Sequence, residues 1–189
     1  MRIVFLGPPG AGKGTQSQRL KDYFGITHLS TGEILRETAR AGSDLGRRAA
    51  EYFSIGKLVP DHIVVSIVAE RLAHADCLDG YLFDGFPRTV GQAHALDAIL
   101  DEQGMPLDVV ISIEVPLDQL LERLAGRGRQ DDELETIRER LAQYHSLTEP
   151  LVDYYERRKL LRRVDGTGTQ DEVFDRIRRA VEMARQPSS

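Results

Sequence analysis

The sequence of 189 residues is poor in several features that define large classes of protein. It has a single cysteine, Cys77, which excludes an internal disulfide and a thiolate-rich zinc site, and which suits a reducing cytosol. No apolar run approaches the ~20 residues of a membrane span, and Met1-Arg2 leads straight into an apolar strand pattern without room for a signal peptide. A soluble, cytoplasmic protein is therefore expected. There is no excess of basic charge: the formal net charge of -5 argues against a nonspecific nucleic-acid binder. The five histidines, at 28, 62, 74, 94 and 145, lack metal-ligand spacing and have no obvious acidic partner. No serine or cysteine lies in a nucleophile motif, so chemistry must rest on positioning and charge rather than on a covalent intermediate. Internal repeats are absent, and with no apolar stripe or heptad to bury elsewhere, a monomer is the default expectation.

What is present begins at residues 7–15, GPPGAGKGT, between the apolar run 3–6 and a helical pattern over 16–24. Strand, glycine turn and helix make a phosphate cradle. Glycines at 7, 10, 12 and 14 allow positive φ and close approach of backbone N–H groups to an anion, Lys13 adds a mobile positive charge, and the helix contributes the positive end of its dipole. The P-loop pattern places Ser or Thr directly after the lysine to meet Mg²⁺, whereas here Gly14 intervenes and the hydroxyl arrives at Thr15. Metal ligation by Thr15 is left open by this shift.

Further along, short strands are expected over 26–29, 81–83, 109–115 and 160–164. Between them, two short helices around Ile34, Leu35 and Ala39 and around Ala49, Ala50 and Phe53 are polar enough to sit outside the main sheet. Asp61, after Pro60, is the expected N-cap of a helix with its apolar stripe at Ile63, Val64, Ile67, Val68 and Leu72. Other helices are expected at Ala93, Leu96 and Leu100, at Leu117, Leu120, Leu121 and Leu124, and from 132 to about 155, where Pro150 bends or divides the pattern. A capping box at 169–172 opens the last helix. Strands alternating with helices imply an α/β fold: a five-stranded parallel sheet covered by helices on both faces, with ligands beyond the carboxyl ends of the strands.

The groups with chemical potential fall at those ends. Asp84 tips an apolar strand, where a P-loop enzyme holds Mg²⁺ directly or through water. Arg88, four residues on and beyond a Gly and a Pro, can fork onto phosphate oxygens. Arg127 and Arg129 flank Gly128 on a short loop, with Arg123 and Arg140 on the helices to either side. Arg157, Arg158, Lys159, Arg162, Arg163, Arg178 and Arg179 read as ordinary exposed charges.

The blocks GPPGAGKGT, HLSTGEILR at 28–36, GKLVPD at 56–61, FDGFPRTVGQ at 83–92 and RQDDELETIRER at 129–140 together resemble those of the nucleoside monophosphate kinases, and among them the bacterial adenylate kinases with a short lid. The resemblance runs end to end and includes Gly14. It implies a P-loop kinase fold organised as one domain: a core of 1–29, 60–125 and 133–189, an AMP-binding flap of 30–59, and a short lid of 126–132. It implies reversible phosphoryl transfer from Mg-ATP to AMP, giving ADP, with Mg²⁺ as cofactor and no zinc. By the same resemblance Gly10, Ala11, Gly12, Lys13, Gly14 and Thr15 hold the ATP phosphates, Arg127 reaches ATP, and the Gly168 backbone touches its adenine. Thr31, Arg36, Lys57, Leu58, Val59, Gly85, Phe86, Pro87, Arg88 and Gln92 line the AMP site. Arg129 and Arg140 approach the AMP phosphate and the transferring group, and Arg123 lies near the phosphates. A UMP/CMP kinase is the alternative within the family; Thr31, where the pyrimidine enzymes carry alanine, and Gln92, whose amide can meet an adenine edge, favour AMP. A nucleotide-binding protein without catalysis is the alternative from another class, and the filled set of Lys13 and arginines weighs against it.

Overall fold

The computed structural model describes residues 1–54, 59–126 and 134–185. In chain order the elements are β1 (Arg2–Leu6), α1 (Lys13–Phe24), β2 (Thr27–Ser30), α2 (Thr31–Arg40), α3 (Asp44–Ser54), α4 (Asp61–Leu72), β3 (Tyr81–Asp84) and α5 (Val90–Glu102). They continue with β4 (Val109–Glu114), α6 (Leu117–Ala125), α7 (Leu134–Gln143), α8 (Pro150–Arg157), β5 (Leu161–Asp165) and α9 (Gln170–Arg185). Among the described residues the strands form one sheet in the order β2-β3-β1-β4-β5, with every neighbouring pair parallel. Strand order reverses beside β1, so the loop after β1 opens at the crevice where such sheets bind ligands.

Both faces of the sheet are buried, which is why its strands read as continuous apolar runs rather than alternating ones. Within β1, Val4 and Leu6 enter one core with Leu29, Phe83 and Val110 and the apolar sides of α4, α5 and α8. Ile3 and Phe5 enter the other, with Leu82, Ile111 and Ile113 and residues of α1, α6, α7 and α9. The alternation follows from the two-residue period of a strand. Each fully buried Leu, Ile or Phe in these layers contributes about 1.5–3 kcal/mol relative to exposure.

Three local expectations change on inspection. First, α2 and α3 pack on one another and on α4, and their buried Ile34, Leu35 and Ala49 continue the first core rather than standing apart from it. Second, the pattern expected to run from 132 to 155 is divided by a π-helical turn, Tyr144–Thr148, in which Glu149 N donates to the Tyr144 carbonyl at 2.9 Å. Pro150 opens α8, where its missing N–H costs nothing. Third, Asp61 does not cap α4. Pro60 holds the cap position and Asp61 is the first helical residue, leaving its carboxylate for the neighbouring loop. The helix expected at the leucines 117–124 forms as α6, with Leu120 and Leu124 facing the core and Leu117 and Leu121 exposed. The expected capping box does form, with Glu172 accepting from Thr169 N at 2.8 Å and Thr169 Oγ1 accepting from Glu172 N at 3.3 Å.

Candidate active site

The carboxyl ends of the strands open into a cleft of about 1130 Å³. Its first wall is the loop after β1. Gly10 and Gly12 adopt φ of 85° and 90°, and Gly7, at φ 143°, lies where a Cβ would stand 2.8 Å from the Ile113 carbonyl oxygen, so no side chain fits. Gly14 departs from the expected positive φ, because α1 already begins at Lys13 and Gly14 is helical. It neighbours the carboxylate across the cleft: a Cβ there would meet Asp84 Oδ2 at 3.6 Å, an ordinary contact. Lys13 Nζ crosses the loop and donates to the carbonyls of Gly7 at 2.6 Å and Pro8 at 3.0 Å.

Asp84 ends β3 directly beside this wall, paired in register with Phe5 of β1 and Ser30 of β2. Burial alone would raise its pKa, but His28, Lys13 and Arg88 outweigh that and hold the carboxyl below the usual range. The site therefore keeps an anion facing its cations. His28 Nε2 lies 3.8 Å from Asp84 Oδ2, an acidic partner that sequence spacing did not reveal.

The loop after β3 makes the second wall. Gly85 has φ 86° and Arg88 Nε donates to its carbonyl at 2.9 Å. Arg88 sits deep in the cleft with its side chain open to it; burial lowers its pKa, Asp84 opposes that, and Arg140 adds to it. An arginine stays cationic through such shifts. Phe86, expected at the acceptor site, is instead fully buried against Phe83 with ring centroids 5.3 Å apart, so it supports the loop from behind. Gln92 is buried: its Oε1 accepts from Arg88 N at 2.7 Å and its Nε2 donates to Asp61 Oδ1 at 2.7 Å. Thr148, in the π-helical turn, donates to the Arg88 carbonyl at 3.0 Å. Tyr144 of the same turn lines the cleft, and burial pushes its phenol up to about 12, so it remains neutral.

The loop after β5 is fixed from three sides. Arg176 donates to the carbonyls of Asp165 at 2.9 Å and Thr167 at 2.6 Å, Arg123 Nη2 to that of Gly166 at 2.9 Å, and Gln16 Nε2 to that of Gln170 at 3.0 Å. Between these anchors Gly168 turns at φ 93°.

The cleft thus brings together Gly10, Ala11, Gly12, Lys13, Gly14, Thr15, Thr31, Arg36, Val59, Asp84, Gly85, Pro87, Arg88, Gln92, Arg123, Arg140 and Gly168. It leaves out Phe86. Lys57, Leu58, Arg127 and Arg129 lie outside the described residues. It adds His28, Asp61, Gln16 and Thr148, whose signals were weak: a polar residue in a buried strand, an assumed cap, a helical glutamine and a residue inside a long helical pattern just before its proline. Two buried polar atoms on its walls, Thr31 Oγ1 and Gln16 Oε1, have no hydrogen-bond partner among the described residues. Buried polar atoms are rarely left so, and these line a cleft where a polar ligand would satisfy them.

Known proteins match this sequence over most of its length. The family model "Adenylate kinase" matches residues 5–160. A protein of Thermodesulfovibrio yellowstonii named adenylate kinase is 45% identical, covering 94% of this chain and 97% of its own. Relatives of that name from Xanthomonas campestris pv. campestris and Xanthomonas oryzae pv. oryzae are 49% and 50% identical, each covering 96% of this chain and 99% of its own. The parallel sheet, the glycine loop with its lysine and the two-walled cleft agree with these matches, and the chain belongs to the adenylate kinase family.

Proposed function

We propose that this protein transfers the γ-phosphoryl group of Mg-ATP reversibly to AMP, giving two ADP and balancing the adenine nucleotides. The observation that carries this reading is the single cleft in which the glycine loop, Asp84 and the cations Arg88, Arg123 and Arg140 share a surface with Thr31, Arg36, Val59 and Gln92. A phosphate cradle alone would suit any nucleotide binder. A second polar wall in the same cleft provides for an acceptor.

On this reading Gly10 to Gly14, Lys13 and Thr15 bind the donor phosphates, and the Gly168 backbone meets the donor adenine. Lys13 exchanges its bonds to the loop carbonyls for phosphate oxygens. Thr31, Arg36, Lys57, Leu58, Val59, Gly85, Pro87, Arg88 and Gln92 surround AMP, and Thr31 Oγ1 gains the partner it lacks among the described residues. The acceptor needs no strong general base, because a phosphate monoester with second pKa near ~6 is largely ionised at neutral pH. The work of the protein is to hold two polyanions in line and to stabilise charge on the moving group, a task this reading assigns to Arg88, Arg123 and Arg140 in the cleft and to Arg127 and Arg129 by family resemblance.

The residues present suit Mg²⁺. A carboxylate kept ionised, Asp84, faces a helical glycine that leaves space before it, and Mg²⁺ is commonly held by one or two carboxylates with water and substrate phosphates. Asp84, through water, and the Thr15 hydroxyl would hold it. When bound, the ion neutralises charge on the donor phosphate oxygens.

Residues 30–59 serve as the AMP-binding flap and 126–132 as a short lid over the core, and closure of both keeps water from competing with AMP. The protein acts as a cytoplasmic monomer, consistent with its one buried, unpaired cysteine and moderate negative charge. No described helix is long and apolar enough to cross a membrane.

The test is a coupled assay with ATP, Mg²⁺ and AMP, CMP, UMP or GMP as acceptor. ADP formation fastest with AMP is the expected result. Fast turnover with CMP or UMP alone would overturn the choice of acceptor.

A further inference from the structure

Asp61 touches none of the groups assigned to the phosphates, yet it joins the residues that shape the acceptor wall. Its Oδ1 accepts from Gln92 Nε2 at 2.7 Å and its Oδ2 from Thr89 Oγ1 at 2.6 Å. Thr89 Oγ1 in turn accepts from Gln92 N at 3.1 Å, capping α5, while Gln92 Oε1 accepts from Arg88 N at 2.7 Å. Asp61 opens α4 and reaches the start of α5, so two helix N-termini favour its negative charge. The fit is close, since a Cβ on Gly91 would stand 3.3 Å from Asp61 Oδ2.

We propose that Asp61 is a positioning residue that sets base selectivity at the acceptor site by fixing the orientation of the Gln92 amide. The inference rests on the reading that Gln92 faces the acceptor base. A carboxylate only accepts hydrogen bonds, so Gln92 must turn its NH₂ toward Asp61. The other end is fixed by the same logic: Arg88 N–H needs an acceptor, and a flipped amide would set donor against donor. A primary amide has two N–H donors and two lone pairs on its oxygen, and each end spends one here. What remains for a ligand is one acceptor beside one donor, in a fixed order.

That order discriminates between purines of the same shape. Adenine offers a 6-amino donor beside the N1 acceptor, which matches the oxygen and the N–H of the held amide. Hypoxanthine offers a 6-oxo acceptor beside an N1–H donor, which demands the opposite orientation. To accept it the amide would have to flip, breaking its bonds to both Asp61 and Arg88. A site built to hydrogen-bond one pattern rejects its inverse because buried groups are left unpaired.

The experiment compares AMP with IMP as acceptor at saturating Mg-ATP in the full-length protein and in Asp61→Ala, Asp61→Ser, Asp61→Asn and Gln92→Ala. In Asp61→Ala the ratio of kcat/KM for AMP over IMP should fall at least about 10-fold, the scale of one charge-assisted hydrogen bond. The loss should appear in the acceptor KM, with the KM for ATP unchanged. Asp61→Ser, whose short side chain cannot span both partners, should behave alike and serves if the alanine variant does not fold. Asp61→Asn should restore the ratio, because its oxygen can accept from Gln92 while its NH₂ turns to the Thr89 hydroxyl. A ratio unchanged in both Asp61→Ala and Asp61→Ser overturns the proposal, as does an Asp61→Asn ratio as low as theirs. Gln92→Ala separates the two claims: if it leaves the ratio untouched, the assignment of Gln92 to the base is what fails.

Discussion

His28 Nε2 lies 3.8 Å from Asp84 Oδ2, with both side chains largely withdrawn from solvent. Two adjacent parallel strands create this pairing. Ser30 lies opposite Asp84 in the β2–β3 register, and His28, two residues back on the same face of β2, comes beside the carboxylate. The consequence is an anion kept ionised at the mouth of the glycine loop, with Lys13 and Arg88 also bearing on it.

Asp84→Asn should therefore remove the negative charge while keeping the shape. Turnover is expected to fall by about 10²–10³-fold, the scale of losing one electrostatic contact to the reacting groups. Mg²⁺ titration of the rate should show half-saturation at higher concentration. A normal rate at normal Mg²⁺ would remove Asp84 from the metal site.

Arg88→Ala should leave the fold intact, since its side chain donates only to the nearby Gly85 carbonyl among the bonds that hold this loop. The loop keeps its other ties, from Arg88 N to Gln92 and from Thr148 to the Arg88 carbonyl. Turnover is expected to drop by at least about 10²-fold. Near-normal kinetics with unchanged circular dichroism would show that Arg88 is no part of the machinery.

These positions show how far the sequence could be read. The strands were legible because a doubly covered sheet needs continuous apolar runs, and the P-loop because its glycines and lysine cluster between a strand and a helix. Gly14 stands out in the sequence, but its place beside Asp84 depends on a neighbour seventy positions away. The His28–Asp84 pairing depends on strand order and register, which no local pattern encodes. Asp61 looks like a cap because a carboxylate at a helix start usually serves its own helix; here the turn after β3 brings Thr89 and Gln92 to it. Arg158 is exposed, as the sequence suggests, but its hydrogen bond to the buried Asp97 carboxylate at 2.6 Å depends on a helix sixty residues back.

Leu96→Ala should test the core that carries the acceptor wall. Leu96 is wholly buried on α5, between the sheet and α4 and α8. The substitution removes apolar contact and leaves a cavity, for an expected loss of about 2–5 kcal/mol in denaturant unfolding. A loss below ~1 kcal/mol would mean that the surroundings collapse onto the site far more readily than close packing allows.

Asp76 provides a pH test away from the site. Hydrogen bonds from Arg71, at 2.6 and 2.7 Å, hold its carboxyl below the ordinary aspartate value, outweighing a small opposing effect of burial. A folded-state pKa below the unfolded one adds stability that is complete above the unfolded value, near ~3.9, and is lost as pH falls through the folded value. The melting-temperature advantage of the natural protein over Asp76→Asn should accordingly be steady from pH 5 to 7, on the order of a degree or two for an exposed pair, and shrink below about pH 4. An advantage that grows on acidification would contradict this.

The central claim, that two nucleotides meet in one cleft and exchange a phosphoryl group directly, is tested most simply by following ATP labelled at the γ-phosphate in the presence of AMP and Mg²⁺. The account requires two ADP for each ATP consumed, the label in the β-phosphate of the ADP formed from AMP, and no release of inorganic phosphate beyond background. Label appearing chiefly as inorganic phosphate, at a rate indifferent to AMP, would contradict it.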